Sequence, residues 1–380
     1  MPLSSAKRAW IVIAVVLLCL IGAGLAYYFW QARPLPPIVS TVPGVPVAGP
    51  PPDILSQLPA DAPVVAYIDA GNLRKLQNSP LAAALGLASP GPQADRDYAN
   101  FVRDTGFDYT RDLDHAAVAV WPAGIGTPDN VLGEDRVLTI ADGRLDQQKI
   151  KAYALRTGKE IAGGPQPVYD VPGNPPVSLT FLSPTRIALA SGRNSTELLA
   201  RVSPNASSSA SRGLAMQSRI QRVAGAPMFA VARADRLPQT IYAPLHNSPQ
   251  LEQIARSVRA ITLAGQPDRN NLKVTLDAEC DSMKNAVQLA FLLETGKMAG
   301  SMALSDPRTR RQMTREQYMF LEALINHATI NHQNKIVRIT LEITPEMLSA
   351  TPPSKPAASH APTTPQTPAP PPAAYPHSTQ

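Results

Sequence analysis

Apolar and polar positions alternate strictly at residues 337–343, where Val337, Ile339, Leu341 and Ile343 are separated by Arg338, Thr340 and Glu342. A period of two marks a strand with one wet face. Val177–Leu182 and Arg186–Ala190 flank Ser183-Pro184-Thr185 and predict a hairpin. Met283, Ala286, Val287, Ala290 and Phe291 follow the i, i+3, i+4, i+7, i+8 rule of a core-facing helix, with Asp281 as its N-cap. Thr314 and Gln317 fit a capping box ahead of Tyr318, Leu321, Ile325 and Ala328. Hairpins and one-sided strands predict antiparallel sheets with helices on one face, an α+β fold.

The pattern also repeats. Ala62-Pro63-Val64-Val65-Ala66 recurs as Ala226-Pro227-Met228-Phe229-Ala230, and at the same offset Ala70 matches Ala234 and Leu73 matches Leu237. Asn78-Ser79-Pro80 returns as Asn247-Ser248-Pro249. His115–Val120 and Val258–Leu263 occupy equivalent places as apolar strands. Each precedes a second strand (136–141, 271–276) and a helix (146–156, 281–295). The expectation is two related halves, 53–203 and 225–350, with a Ser-rich joint over 204–224.

Residues 10–30, WIVIAVVLLCLIGAGLAYYFW, carry no charge. At about 1.5 Å rise per residue they match a hydrocarbon core of about 30 Å. Trp10 and Trp30 mark the two ends as interfacial aromatics do, and Lys7 and Arg8 precede the run closely. The expectation is a transmembrane helix over 10–30 with a cytoplasmic stub at 1–9 and the rest exported across the cytoplasmic membrane. A cleaved signal peptide ending near Gly24-Leu25-Ala26 competes with it, but the apolar run continues through four aromatics. Gly22 and Ala26 form a small-xxx-small pair able to bring two such helices together. Pro-rich segments follow at 31–52, with eight prolines in 34–52, and at 351–380, with ten. Both read as extended chain: a spacer and a disordered tail.

Net charge changes little once its position is considered. The chain is formally +6, but Lys7, Arg8, Arg33 and Lys355 lie outside 53–350 and every acidic residue lies inside. Thirty-five basic residues less those four leaves 31 against 29 acidic. So small a surplus argues against nucleic acid as a partner. The dense stretch Arg308, Arg310, Arg311, Arg315 is interleaved with Asp306 and Glu316 and reads as solvated surface.

No nucleophile elbow, P-loop, dinucleotide fingerprint or zinc-protease motif occurs in residues 53–350. His327 and His332 are five apart, not a metal spacing, and read as polar residues of a helix-to-strand loop. Asp108, Asp112 and Asp114 lack the glycine and glutamate of a calcium loop and read as turn and cap residues. Asp69 and Asp235, near the ends of matching strands, could form an acid/base couple across the repeat, but under the repeat offset Arg233 takes the place of Asp69, so catalysis is not indicated. Cys280, ahead of a helix, is either a reactive thiol or a small buried residue at a strand end. Asn194 and Asn205 open N-x-S/T sequences that read as chance. The site assignment is therefore no catalytic, cofactor or metal residue.

The phrase Leu58-Pro59-Ala60-Asp61-Ala62-Pro63-Val64-Val65-Ala66-Tyr67-Ile68-Asp69, with Ser79-Pro80-Leu81 and Thr105-Gly106-Phe107-Asp108 leading to Arg111-Asp112-Leu113, resembles uncharacterised bacterial envelope proteins. The resemblance implies a membrane-anchored or exported α+β region and brings no activity with it. The resulting expectation is a non-catalytic ligand- or partner-binding module, taking an envelope protein or a second copy, with no cofactor. An envelope hydrolase with a site between the repeats and a structural element of envelope assembly are the alternatives.

Overall fold

The computed structural model describes residues 49, 52–75, 96–122, 135–161, 166–172, 175–192, 194–202, 214–237, 249–268, 271–308 and 315–344. The described residues include twelve strands. These are β1 (Val64–Asp69), β2 (Leu113–Trp121), β3 (Arg136–Gly143), β4 (Lys159–Ile161), β5 (Val168–Val171) and β6 (Val177–Ser183). They continue as β7 (Arg186–Ser191), β8 (Met228–Arg233), β9 (Val258–Asp268), β10 (Asn271–Cys280), β11 (Ala328–Gln333) and β12 (Ile336–Ile343). Among the described residues they join into one sheet in the order β11-β12-β10-β9-β8-β1-β2-β3-β7-β6-β5-β4, every pair antiparallel. The fold class is α+β.

The helices are α1 (Ala70–Arg74), α2 (Arg96–Thr105), α3 (Tyr109–Asp112), α4 (Gln147–Thr157), α5 (Ser195–Ala200), α6 (Leu214–Val223), α7 (Pro249–Arg256), α8 (Met283–Ser305) and α9 (Arg315–His327). Polar side chains start several of them: Asp69, Asp108, Asp146 and Ser282 each accept a hydrogen bond from an amide of the first turn. The cap of α8 is thus Ser282, one residue beyond the predicted Asp281. Gly143, at the end of β3, lies so close to the Asp112 carbonyl that a Cβ there would overlap it.

Helices cover both faces of the sheet, which corrects the one-face expectation. Leu138, Ile140, Ala188 and Ala190 point to one side and meet Leu55 of a 3-10 turn at Asp53–Gln57, Leu198 and Leu199 of α5, and Met216, Ile220 and Val223 of α6. Ala141, Ile187 and Leu189, one residue out of phase, point to the other side and meet Ile150 and Ala154 of α4. On that second side, Ala278, Cys280, Val337 and Ile339 pack against Ala286 and Ala290 of α8. The physical sign was present in β2, where Ala116, Ala117, Val118, Ala119 and Val120 run without interruption. A continuous apolar run belongs to a strand buried on both faces.

Two further expectations change. Most of the wet face of β12 is covered: Arg338 donates to both carboxylate oxygens of Asp277 on β10, at 2.7 and 2.8 Å, and Thr340 is buried, while Glu342 stays exposed. The expected joint contains α6, whose Ile220 and Val223 are among the most buried side chains of the central core.

Candidate binding surface

Helix α8 forms where its apolar periodicity predicted, but it faces otherwise. Ala286, Ala290, Gly296, Ala299, Gly300 and Leu304 are its buried residues. Met283, Val287 and Phe291, predicted to face the core, are exposed, and Met298 and Met302 continue their row. These five are between 37% and 57% exposed. At about 100° per residue they fall within roughly 100° of arc, so they form one continuous ridge. Small residues explain the inversion: alanine and glycine let the helix sit close on the sheet, and the bulkier side chains then have room only on the far flank. Met319 of α9 is exposed as well. Among the described residues, six of the eight exposed large apolar side chains thus belong to α8 and α9; the other two are Tyr109 and Leu155. The α8 ridge carries one acidic interruption, Glu294, while Lys297 is drawn inward to the Ala328 carbonyl of β11.

The other concentration of chemistry is a row of ionisable groups along one end of the sheet. Asp69, His115, Asp142 and Arg186 are direct cross-strand partners on β1, β2, β3 and β7, and so share a face. The Tyr67 hydroxyl and His115 Nδ1 are 2.9 Å apart, and the Asp69 carboxylate is 3.7 Å from the same nitrogen. Burial first, then the charges of Asp69 and Asp142, push the Tyr67 phenol up to about 12. Arg186 holds Asp142 through two bonds of 2.6 and 2.7 Å. Asp69 is occupied as the cap of α1, accepting from the Asn72 amide at 2.7 Å. The groups satisfy one another, as a structural network does.

The remaining predicted residues are dispersed. Asp69 and Asp235 do not meet. Strands β1 and β8 run antiparallel, so Asp69 lies beside Pro227 at one end of the pair and Asp235 lies past Arg233 at the other, about 20 Å away for six or more steps of strand. Asp235 is bound to Arg233 instead. Asp108, Asp112 and Asp114 have separate partners: Asp108 caps α3 and accepts from Tyr98, Asp112 pairs with Arg111 and Arg144, and Asp114 pairs with Arg74. Among the described residues no three His, Cys, Asp or Glu side chains form a metal-holding group. His327 ends α9 and His332 lies within β11, so the expected loop between them is helix end and strand. Cys280 is buried, and burial pushes its thiol up, which fits the inert reading. Asn194 is the left-handed residue at the start of α5, with φ of 56°. Lys7, Arg8, Trp10, Gly22, Ala26, Trp30, His246, Asn205 and Thr314 lie outside the described residues. Among the described residues no helix is long and apolar enough to cross a membrane.

No protein-family model and no curated protein matches the chain. Solved structures of TP0453 align with it. Crystal form III has a TM-score of 0.41 and 12% identity, covering 78% of this chain and 96% of that one. Crystal form IV has a TM-score of 0.41 and 12% identity over 80% and 96%, and crystal form I has 0.39 and 12% over 78% and 95%. Likeness of this degree fixes neither a family nor an activity.

Proposed function

We propose that the chain is a single-pass, membrane-anchored protein of a bacterial envelope whose exported α+β region binds a protein partner through the outer ridge of α8 and catalyses no reaction. The ridge Met283, Val287, Phe291, Met298 and Met302 carries this reading. Large apolar side chains gathered on one exposed helix mark an interaction surface, and methionine adapts to the shape it meets. The occupant is a segment with an apolar face of its own, an amphipathic helix being the simplest. In this reading residues 10–30 are the anchor, Lys7 and Arg8 keep the N-terminus inside, and Trp10 and Trp30 sit at the two interfaces. Gly22 and Ala26 allow two anchors to associate. Neither a cofactor nor nucleic acid is required.

The same reading takes the region as two related halves. The register supports it. Ala66 lies opposite Ala230, its own counterpart under the offset of 164 (230 less 66). The Asp69 amide donates to the Pro227 carbonyl and the Arg233 amide to the Pro63 carbonyl, both at 2.7 Å, and each bond is the other's counterpart under that offset. Outward from this pair the strands run β1-β2-β3-β7-β6 on one side and β8-β9-β10-β12-β11 on the other. Such matching supports a local two-fold axis through Ala66 and Ala230.

A photo-crosslinking residue placed at Phe291 or Met298 in the native envelope tests the surface. A discrete adduct is expected from both positions and none from Leu155, the exposed apolar residue of α4. Silence at α8, or the same adducts from Leu155, would remove the proposal. An adduct of twice the chain mass would identify the partner as a second copy.

A further inference from the structure

We infer that Arg136 and Trp121 form a binding site for an oxyanion, the carboxylate or phosphate group of a ligand. The site lies on the face of the sheet opposite α8, so it does not depend on the binding surface proposed there. Arg136 opens β3 directly across from Trp121, the last residue of β2. Alternation puts it in line with Leu138 and Ile140, on the side that carries the central core. Arg136 is 9% exposed and Trp121 4%. The Arg136 guanidinium carbon stands 5.8 Å from the centre of the indole ring, and Arg201, just after α5, brings a second guanidinium to 5.7 Å of the same ring.

Among the described residues the two guanidiniums at this ring differ in their partners. Arg201 is paired with Asp61, whereas no ion pair among the described residues holds Arg136. Nε of Arg136 and Nε1 of Trp121 are both buried N–H donors without an acceptor. An aromatic face returns less than the desolvation of a guanidinium costs, so buried arginines ordinarily also carry an anion. A guanidinium fork matches a planar or tetrahedral group of oxygens. Two orphan donors, one of them on an arginine with no ion pair among the described residues, point to an acceptor that is itself an anion.

The test uses the full-length chain in mild detergent, with Trp10→Phe and Trp30→Phe so that Trp121 is the sole indole of the three in the sequence. Inorganic phosphate and then acetate are titrated at ionic strength held constant with chloride, and Trp121 emission is followed. A saturable change with phosphate alone assigns a phosphate-bearing ligand, and with acetate alone a carboxylate. Arg136→Gln is expected to weaken the response at least tenfold. Should that variant not fold, Arg136→Lys keeps the charge without the fork, and the same tenfold loss is expected alongside an unchanged cooperative melt. No saturable response to either anion, or equal affinity in a folded Arg136 variant, overturns the site.

Discussion

At Tyr67 the phenol is kept neutral by burial and by two nearby carboxylates, so its folded pKa of about 12 exceeds its ordinary 10.0. A proton held more tightly in the folded state stabilises the protein fully below pH 10, and that contribution is lost as pH rises from about 10 through about 12. Tyr98, raised likewise by burial and by Asp108, acts in the same direction. Thermal unfolding followed across that window should show a falling Tm in the native chain and a shallower fall in Tyr67→Phe. That variant should also lose about 1 kcal/mol at neutral pH with the bond to His115; equal slopes would discount Tyr67 as a source. Asp277 offers a larger effect. It is 2% exposed and engaged by Arg338 through two bonds, so Asp277→Ala should destabilise by about 3 kcal/mol in urea unfolding. The pair was not legible in sequence because its members sit 61 residues apart on different strands. The alternation in β12 correctly put Arg338 and Thr340 on one face but said nothing of what lay against it. Arg136 shows the same limit: its alternation with Leu138 and Ile140 can be read in the sequence, but its place across from Trp121 comes from strand pairing.

Among elements, α8 separates what periodicity decides from what it leaves open. Residues 283–291 announced a helix, and a helix is present. The choice of buried flank came from Gly296, Ala299 and Gly300, beyond the segment that was read. Substitutions should report the same division. Ala290→Leu, against the sheet, should cost about 2 kcal/mol by overpacking. Phe291→Ser, its outward neighbour, should change stability by no more than about 0.5 kcal/mol. Chemical denaturation of the two variants checks this, and a comparable loss in both would place Phe291 in a packed environment. Strands β4 and β5 escaped notice because they are three and four residues long, and β4 carries Lys159 and Glu160 side by side. Helix α6 was hidden by the Ser-rich stretch before it, which drew the boundary too far along the chain.

For the molecule as a whole, the central core draws on both sides of the β1–β8 junction. Val65, Leu138 and Ala190 share it with Ile220, Phe229 and Ala264. Separate folding of 53–203 and 225–350 would expose that shared surface, so calorimetry of the intact chain should give one transition. Two resolved transitions, or a stable isolated 53–203, would show the junction to be dispensable. The central position of β1 bears on how the protein carries load. Any tension arriving from the N-terminal side passes the 3-10 turn at Asp53–Gln57 and enters β1, which is hydrogen-bonded along its length to β2 and β8. A pull along that strand meets two ladders of bonds lying across its direction, which must slip together rather than open one at a time. The load thus enters an interior strand of the sheet, and the two edge strands, β4 and β11, lie away from it.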